Sequence, residues 1–189
     1  MGQAAIAETR MTVDEFLAAY EGVEERFELV DGVPVAMGRA TRRPNRIMAN
    51  LSRRLGERLD GLPCEVLAAN MGLSVSEFSF RLPDLGIYCD PRDIGPGNND
   101  AMTMAFPKVL FEILSKSTQR IDHVYKLDEY QAIDSVDTIV FIHLARSAFT
   151  TFERLGTNEW RTIVHLPGQP LVLRDPALSI PADEIFAGI

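Results

Sequence analysis

Apolar residues recur every four positions from Ile47 through Leu51 and Leu55 to Leu59. That spacing marks one buried face of an α-helix running from about Pro44 to Asp60. Arg42, Arg46 and Arg53 fall near its opposite face, which meets solvent or a polyanion. A shorter helix is expected over residues 13 to 20, because Thr12 followed by Glu15 has the form of a capping box ahead of Phe16 and Leu17. Arg26 to Val30 and Val33 to Met37 then flank Asp31-Gly32. Both central positions of a two-residue hairpin turn need positive φ, and this dipeptide tolerates it.

Further along, short apolar runs rich in Val, Ile and aromatic residues predict strands at Cys64 to Ala69, Leu73 to Val75, Leu85 to Cys89 and Lys108 to Leu114. Proline, glycine and asparagine crowd residues 91 to 100, which reads as a loop. A helix is expected over Gln119 to Ile133, capped by Ser117 or Thr118. Thr138 to Leu144 is almost continuously apolar, as in a strand covered on both faces. Ala148 to Arg154, Trp160 to His165 and Leu171 to Leu173 read as further strands, and Ala182 to Phe186 as a terminal helical turn. The order is helix, hairpin, helix, strands, helix, strands. It predicts an α/β (α+β) fold in which helices flank a mixed β-sheet.

The chain has 189 residues, 46% of them hydrophobic, enough for one good core. The expected organisation is one domain over residues 11 to 189 behind a flexible tail of residues 1 to 10. No apolar run approaches the ~18 residues of a membrane span, and no apolar stretch follows a basic start, so a cytoplasmic location is expected. Cys64 and Cys89 show neither a CxxC nor a Cys/His spacing and are expected as reduced, buried thiols. The net charge of −8 argues against broad affinity for nucleic acid. Positive charge is nevertheless clustered: between residues 39 and 58, Arg39, Arg42, Arg43, Arg46, Arg53, Arg54 and Arg58 stand against one acid, Glu57.

Candidate chemistry begins with Pro83-Asp84 at the head of one strand and Glu112 inside Val109-Leu110-Phe111-Glu112-Ile113-Leu114. An aspartate after proline is commonly a turn or cap residue. A glutamate within an apolar run needs a partner such as a cation, unless it lies on the solvated face of an edge strand. Carboxylates at neighbouring strand ends can share magnesium, which takes one or two carboxylates plus water and substrate phosphate. The metal would then generate hydroxide for phosphodiester hydrolysis. His123, His143 and His165 are too scattered for zinc; His123 reads as a surface residue and His143 as a hydrogen-bonded core residue. Gly95-Pro96-Gly97 lacks the Lys-Ser/Thr of a phosphate-binding loop.

Phe27-Glu28-Leu29-Val30-Asp31-Gly32, Pro83-Asp84, Phe111-Glu112-Ile113-Leu114-Ser115 and the spaced block Ser117-Thr118, Asp122, Lys126, Tyr130 together resemble the Uma-two family of restriction-endonuclease-like proteins, within the PD-(D/E)XK nucleases. The resemblance spans nearly the whole chain. It implies a restriction-endonuclease-like fold whose Glu28, Asp84 and Glu112 bind Mg2+ (or Mn2+). It also implies catalysis by those residues with Lys126, a DNA substrate, and a homodimer in which the strands after residue 137 could pair across the interface. Leu114 stands where the usual motif has lysine, and Lys126 on the next helix matches a migrated position. Asp122, four residues before Lys126, is expected to support it, with an ordinary i, i+4 ion pair as the other account. The chain departs from the family pattern in having Pro44-Asn45-Arg46 instead of a histidine at the helix start, and Thr138-Ile139-Val140 with His143-Leu144 in the later strand.

Two function classes follow. The first is a metal-dependent endonuclease acting on DNA, with Arg42, Arg43, Arg46 and Arg53 as candidate nucleic-acid contacts. The second is a non-catalytic nucleic-acid or protein interaction module on the same fold, which the acidic total charge favours. A hydrolase acting on another substrate is a third, weaker reading.

Overall fold

The computed structural model describes residues 10–68, 71–114 and 122–189. Residues 1–9 of the expected tail, the cap at Ser117 or Thr118 and the side chain of Asp122 lie outside the described residues, whereas Arg10 donates from Nε to Asp31 O at 3.1 Å.

Thr12 caps α1 (Val13–Ala19) as its pattern predicts: Glu15 N donates to Thr12 Oγ1 at 3.3 Å, and Thr12 N donates to Glu15 Oε2 at 2.8 Å. The helix presses Val13 and Phe16 onto Leu29, Phe80 and Leu82. The hairpin β1 (Phe27–Val30) and β2 (Val33–Ala36) turns on Asp31 and Gly32, whose φ values are 51° and 82°. A Cβ at Gly32 would also come within 2.6 Å of Arg10 Cβ, so close approach as well as φ selects glycine.

β1 and β2 belong to a small antiparallel sheet of order β2-β1-β5-β4, with β4 at Leu73–Ser76 and β5 at Ser79–Arg81. A separate six-stranded sheet has the order β10-β9-β8-β7-β6-β3. Its members are β3 (Glu65–Ala68), β6 (Leu85–Tyr88), β7 (Pro107–Leu114), β8 (Thr138–His143), β9 (Ala148–Gly156) and β10 (Glu159–Val164). β7 and β8 run parallel, while every other neighbouring pair is antiparallel, so the sheet is mixed as expected. Of the strands after residue 137, β8 pairs β9 and β9 pairs β10 within the chain, which puts β10 at an edge of the sheet.

The helix of four-residue spacing is α2 (Arg42–Leu59). It starts two residues earlier than its apolar pattern suggests, because Pro44 fits the first helical turn, where backbone N–H groups lack intrahelical partners. Ile47, Leu51, Leu55 and Leu59 are all buried, on Leu85, Ile87, Val109, Phe111 and Ile113 of the large sheet. The hairpin β11 (Leu171–Arg174) and β12 (Ala177–Ile180) and the short helix α4 (Ala182–Ile185) close the same side. The other side of the sheet carries α3 (Asp122–Gln131) over Leu110, Leu114, Ile139 and Phe141. Both faces of β7 are therefore covered, and alternation along the strand turns Glu112, between Leu110 and Leu114, toward α3.

One expectation fails. Cys64 and Cys89 are not reduced thiols but form a disulfide, with Cα atoms 4.1 Å apart. The β3–β6 register that pairs Glu65 with Tyr88 sets the two cysteines opposite each other, a proximity invisible at a sequence separation of 25 residues. Residues 91 to 100 form the loop expected, held by side-chain hydrogen bonds. Asp93 accepts from Ala105 N and Phe106 N at 3.0 and 2.6 Å, and Asn98 Nδ2 donates to Arg92 O at 2.7 Å. No helix among the described residues is long and apolar enough to cross a membrane.

Candidate active site at the seam of two sheets

Two cross-strand relationships build the site. The β6–β7 register pairs Leu85 with Phe111, and one residue further it sets Asp84 opposite Glu112. Directly opposed residues on antiparallel strands share a face, so both carboxylates lie on the α3 side. The β1–β5 register pairs Leu29 with Phe80 and, one residue further, sets Glu28 opposite Arg81. Between β5 and β6 the chain passes from the small sheet to the large one through Leu82-Pro83-Asp84. The motif Pro83-Asp84 thus stands at the seam.

Helix α3 supplies the cation. Lys126 Nζ lies 3.0 Å from Glu28 Oε1 and 3.2 Å from Glu112 Oε1, with all three side chains buried. Tyr130, one turn later and on the same helical face, donates to the same Glu112 Oε1 at 2.6 Å. Glu28 is bonded on both oxygens: Oε1 accepts from Leu82 N at 3.1 Å as well as from Lys126, and Oε2 accepts from Arg81 Nη1 at 3.1 Å. Arg81 also forks onto Glu129 of α3, with Nε to Oε2 at 2.7 Å and Nη2 to Oε1 at 3.0 Å. Asp84 is half-buried, and its Oδ2 accepts from Ile113 N at 2.7 Å.

These surroundings separate three carboxylates chemically. Burial pushes Glu112 up to about 7, with the nearby charges of Asp84 and Glu28 adding to the effect and Lys126 and Tyr130 opposing it. Burial raises Asp84 too, against the Ile113 amide and Lys126. Glu28 is equally subject to burial, yet Lys126, the Leu82 amide and Arg81 together bring it below the ordinary carboxylate range. Glu28 is held as an anion, while Asp84 and Glu112 are carboxylates whose ionisation a further cation would favour.

The donor set fits a hard divalent cation at Asp84 and Glu112. Among the described residues each of these keeps one oxygen without a protein hydrogen bond, Oδ1 of Asp84 and Oε2 of Glu112. Two carboxylates completed by water and phosphate suffice for magnesium. No group of three or more His, Cys, Asp or Glu side chains converges as a metal cage among the described residues. Glu28, expected as a third ligand, meets Leu82 N and Lys126 on Oε1 and Arg81 on Oε2, so that Oε2 has a single donor among the hydrogen bonds described.

All four residues singled out in the sequence, Glu28, Asp84, Glu112 and Lys126, therefore meet. Arg81 and Glu129 were missed. The signal for Arg81 was of the kind that marked Glu112, a charge inside an apolar run, here Phe78-Ser79-Phe80-Arg81-Leu82. The arginines of α2 lie elsewhere: the large sheet separates that helix from the Glu112 face. Arg42, Arg43, Arg46 and Arg53 are exposed. Arg43 Nη2 reaches Leu144 O at 3.3 Å, placing the first turn of α2 at the end of the sheet where β7 and β8 finish, the end nearer Glu112. Arg53 and Arg54 instead pair with Glu57 at 3.2 and 2.7 Å. His143 and His165 hydrogen-bond Thr150 and Thr151 at 2.9 and 3.1 Å, while the His123 ring packs 5.7 Å from Phe141.

Comparison with known proteins bears on the family and the fold. The chain is 24% identical over 181 residues to the uncharacterized protein slr1290 of Synechocystis sp., covering 95% of this chain and 93% of the relative. It is 24% identical over 151 residues to a second Synechocystis protein, uncharacterized protein sll1609, covering 79% and 84%. The crystal structure of a putative nuclease belonging to DUF820 from Anabaena variabilis superposes with a TM-score of 0.74, at 15% identity over 94% of this chain and 98% of that one, a likeness of fold. The model of the Uma2 family, described as "Putative restriction endonuclease", matches residues 13–182, so the chain belongs to that family.

Proposed function

We propose that the protein is a divalent-metal-dependent endonuclease that hydrolyses phosphodiester bonds of DNA. The observation that carries this reading is the opposition of Asp84 and Glu112 on one face of the sheet, each with an oxygen left over among the described residues, beside a lysine ammonium. Asp84 and Glu112 would hold Mg2+ or Mn2+, which when bound lowers the pKa of water and offsets charge on the phosphate. Glu28 serves as the fixed anion that keeps Lys126 charged. Lys126 orients the attacking water or meets the developing charge at phosphorus. Tyr130 retains a hydrogen bond to Glu112 Oε1 when Lys126 turns to the substrate.

The exposed Arg42, Arg43 and Arg46 at the start of α2, across the sheet from Glu112 but toward the same end of it, are candidate phosphate contacts, a local positive rim on an acidic protein. Arg53 is the weaker candidate, since Glu57 already offsets its charge. A homodimer would bring two sites to the two strands of a duplex.

The test is nicking of supercoiled plasmid in Mg2+ or Mn2+, with chelator and an Asp84→Ala protein alongside. Metal-dependent nicking that vanishes in the variant supports the proposal. Absence of cleavage together with absence of Mn2+ binding by calorimetry transfers the reading to a non-catalytic interaction module.

A further inference from the structure

Arg81 is 0% exposed in a site built otherwise of carboxylates, Lys126 and the Tyr130 hydroxyl. A guanidinium so buried cannot touch a substrate. Burying it is costly unless its hydrogen bonds are nearly ideal. Here the fork to Glu129 and the bond to Glu28, at 2.7, 3.0 and 3.1 Å, meet that condition.

The partners say what the buried charge accomplishes. Glu129 is three residues after Lys126 on α3, so the fork holds the turn of helix that carries Lys126. Glu28 is the carboxylate that receives Lys126 at 3.0 Å. One residue, rooted in β5 of the small sheet, therefore holds both the carrier of the ammonium and its acceptor. The next residue on the helix, Tyr130, ties α3 to Glu112 of the large sheet at 2.6 Å. Glu129 and Tyr130 thus anchor adjacent positions of one helix to two different sheets, and Lys126 lies between those anchors.

We infer that Arg81 is a positioning residue: through Glu129 and Glu28 it latches α3 to the small sheet and so sets Lys126 between Glu28 and Glu112. Its consequence for catalysis rests on the nuclease reading above. Lysine is no substitute at position 81, because a single ammonium cannot span both oxygens of Glu129 and Oε2 of Glu28 as a planar fork does.

The experiment uses the full chain with 15N-labelled lysine and follows the Lys126 ammonium in proton–nitrogen correlation spectra, assigned by its loss in Lys126→Arg. Glu129→Gln opens the latch at a half-exposed position and leaves Arg81 its bond to Glu28. Arg81→Met and Arg81→Lys remove the latch at its root. The wild type should show a slowly exchanging Lys126 signal. All three latch variants should lose it or move it to the exchange rate of surface lysines.

In plasmid nicking, Glu129→Gln should lower kcat by about tenfold with KM changed less than about twofold, and Arg81→Lys should not restore the wild-type rate. An unchanged Lys126 signal and unchanged kcat in Glu129→Gln, with the fold intact by circular dichroism, overturns the inference even if Arg81→Met fails to fold. If the wild type does not nick DNA, the nuclease reading falls, and the Lys126 signal alone still decides the latch.

Discussion

Lys126 and Tyr130 donate to the same oxygen of Glu112, at 3.2 and 2.6 Å, from successive turns of one helix. Convergence on Oε1 orients the carboxylate and leaves Oε2 without a hydrogen-bond donor among the described residues. Tyr130→Phe removes one donor while keeping the ring that fills the core. Because the tyrosine hydrogen bond lowers the pKa of Glu112, its loss raises that pKa further. The acid limb of nicking should move to higher pH, and stability should fall by about 1 kcal/mol in denaturant melts. A profile that stays in place would show that Glu112 ionisation does not limit the reaction.

Stability itself should carry the signature of Glu112. Its folded pKa of about 7 lies above the ordinary 4.5, so the folded state binds more protons than the unfolded state between those values. Stability contributed by this group is therefore present at low pH and lost as pH rises through that window. Glu112→Gln should gain on the wild type in melting temperature between pH 5 and pH 8. A constant difference across that range would contradict the raised pKa.

Asp84 combines two tasks that one substitution can separate. Asp84→Asn keeps an acceptor for Ile113 N and removes the charge, whereas Asp84→Ala removes both. Calorimetry with Mn2+ should show at least about a tenfold loss of affinity in either variant. Thermal melts should show a cost of about 1 kcal/mol for Asp84→Ala alone. Wild-type affinity in Asp84→Asn would remove Asp84 from the ligand set.

The arginines of α2 should divide into two groups. Replacing Arg42, Arg43 and Arg46 together by alanine should weaken duplex binding and flatten the dependence of log Kd on log salt by about 1 for each phosphate no longer neutralised. Arg53→Ala should change the slope little, since Glu57 already pairs with it. Equal effects from both changes would place the duplex along the whole helix.

Local rules were legible wherever one short segment holds the whole cause. The Thr12 and Glu15 side chains sufficed for the cap of α1, Asp31-Gly32 for the hairpin, and Ile47 to Leu59 for the face of α2. Glu112 was conspicuous because a charge in an apolar run demands a partner. What escaped depends on partners far apart in sequence. β5 is only three residues long, too short for any period to show, and without it neither the second sheet nor the role of Arg81 can be foreseen. The bridge from Cys64 to Cys89 needs the β3–β6 register. That α2 lies across the sheet from Glu112 follows from which face of β7 each helix covers, a choice made by packing and not by the helix's own pattern. Glu28 and Lys126 were picked out by their match to a family pattern, and their approach to 3.0 Å explains why those two positions belong together.

The seam between the sheets has a further consequence. Glu28 and Arg81 come from one sheet, Asp84 and Glu112 from the other, and Lys126 from the helix lying over both. No contiguous half of the chain contains the set, and neither sheet alone can assemble it. A chain emerging from synthesis, or one in which either sheet has opened, lacks the assembled set. For the nuclease proposed above, hydrolytic capacity would then be confined to fully folded molecules.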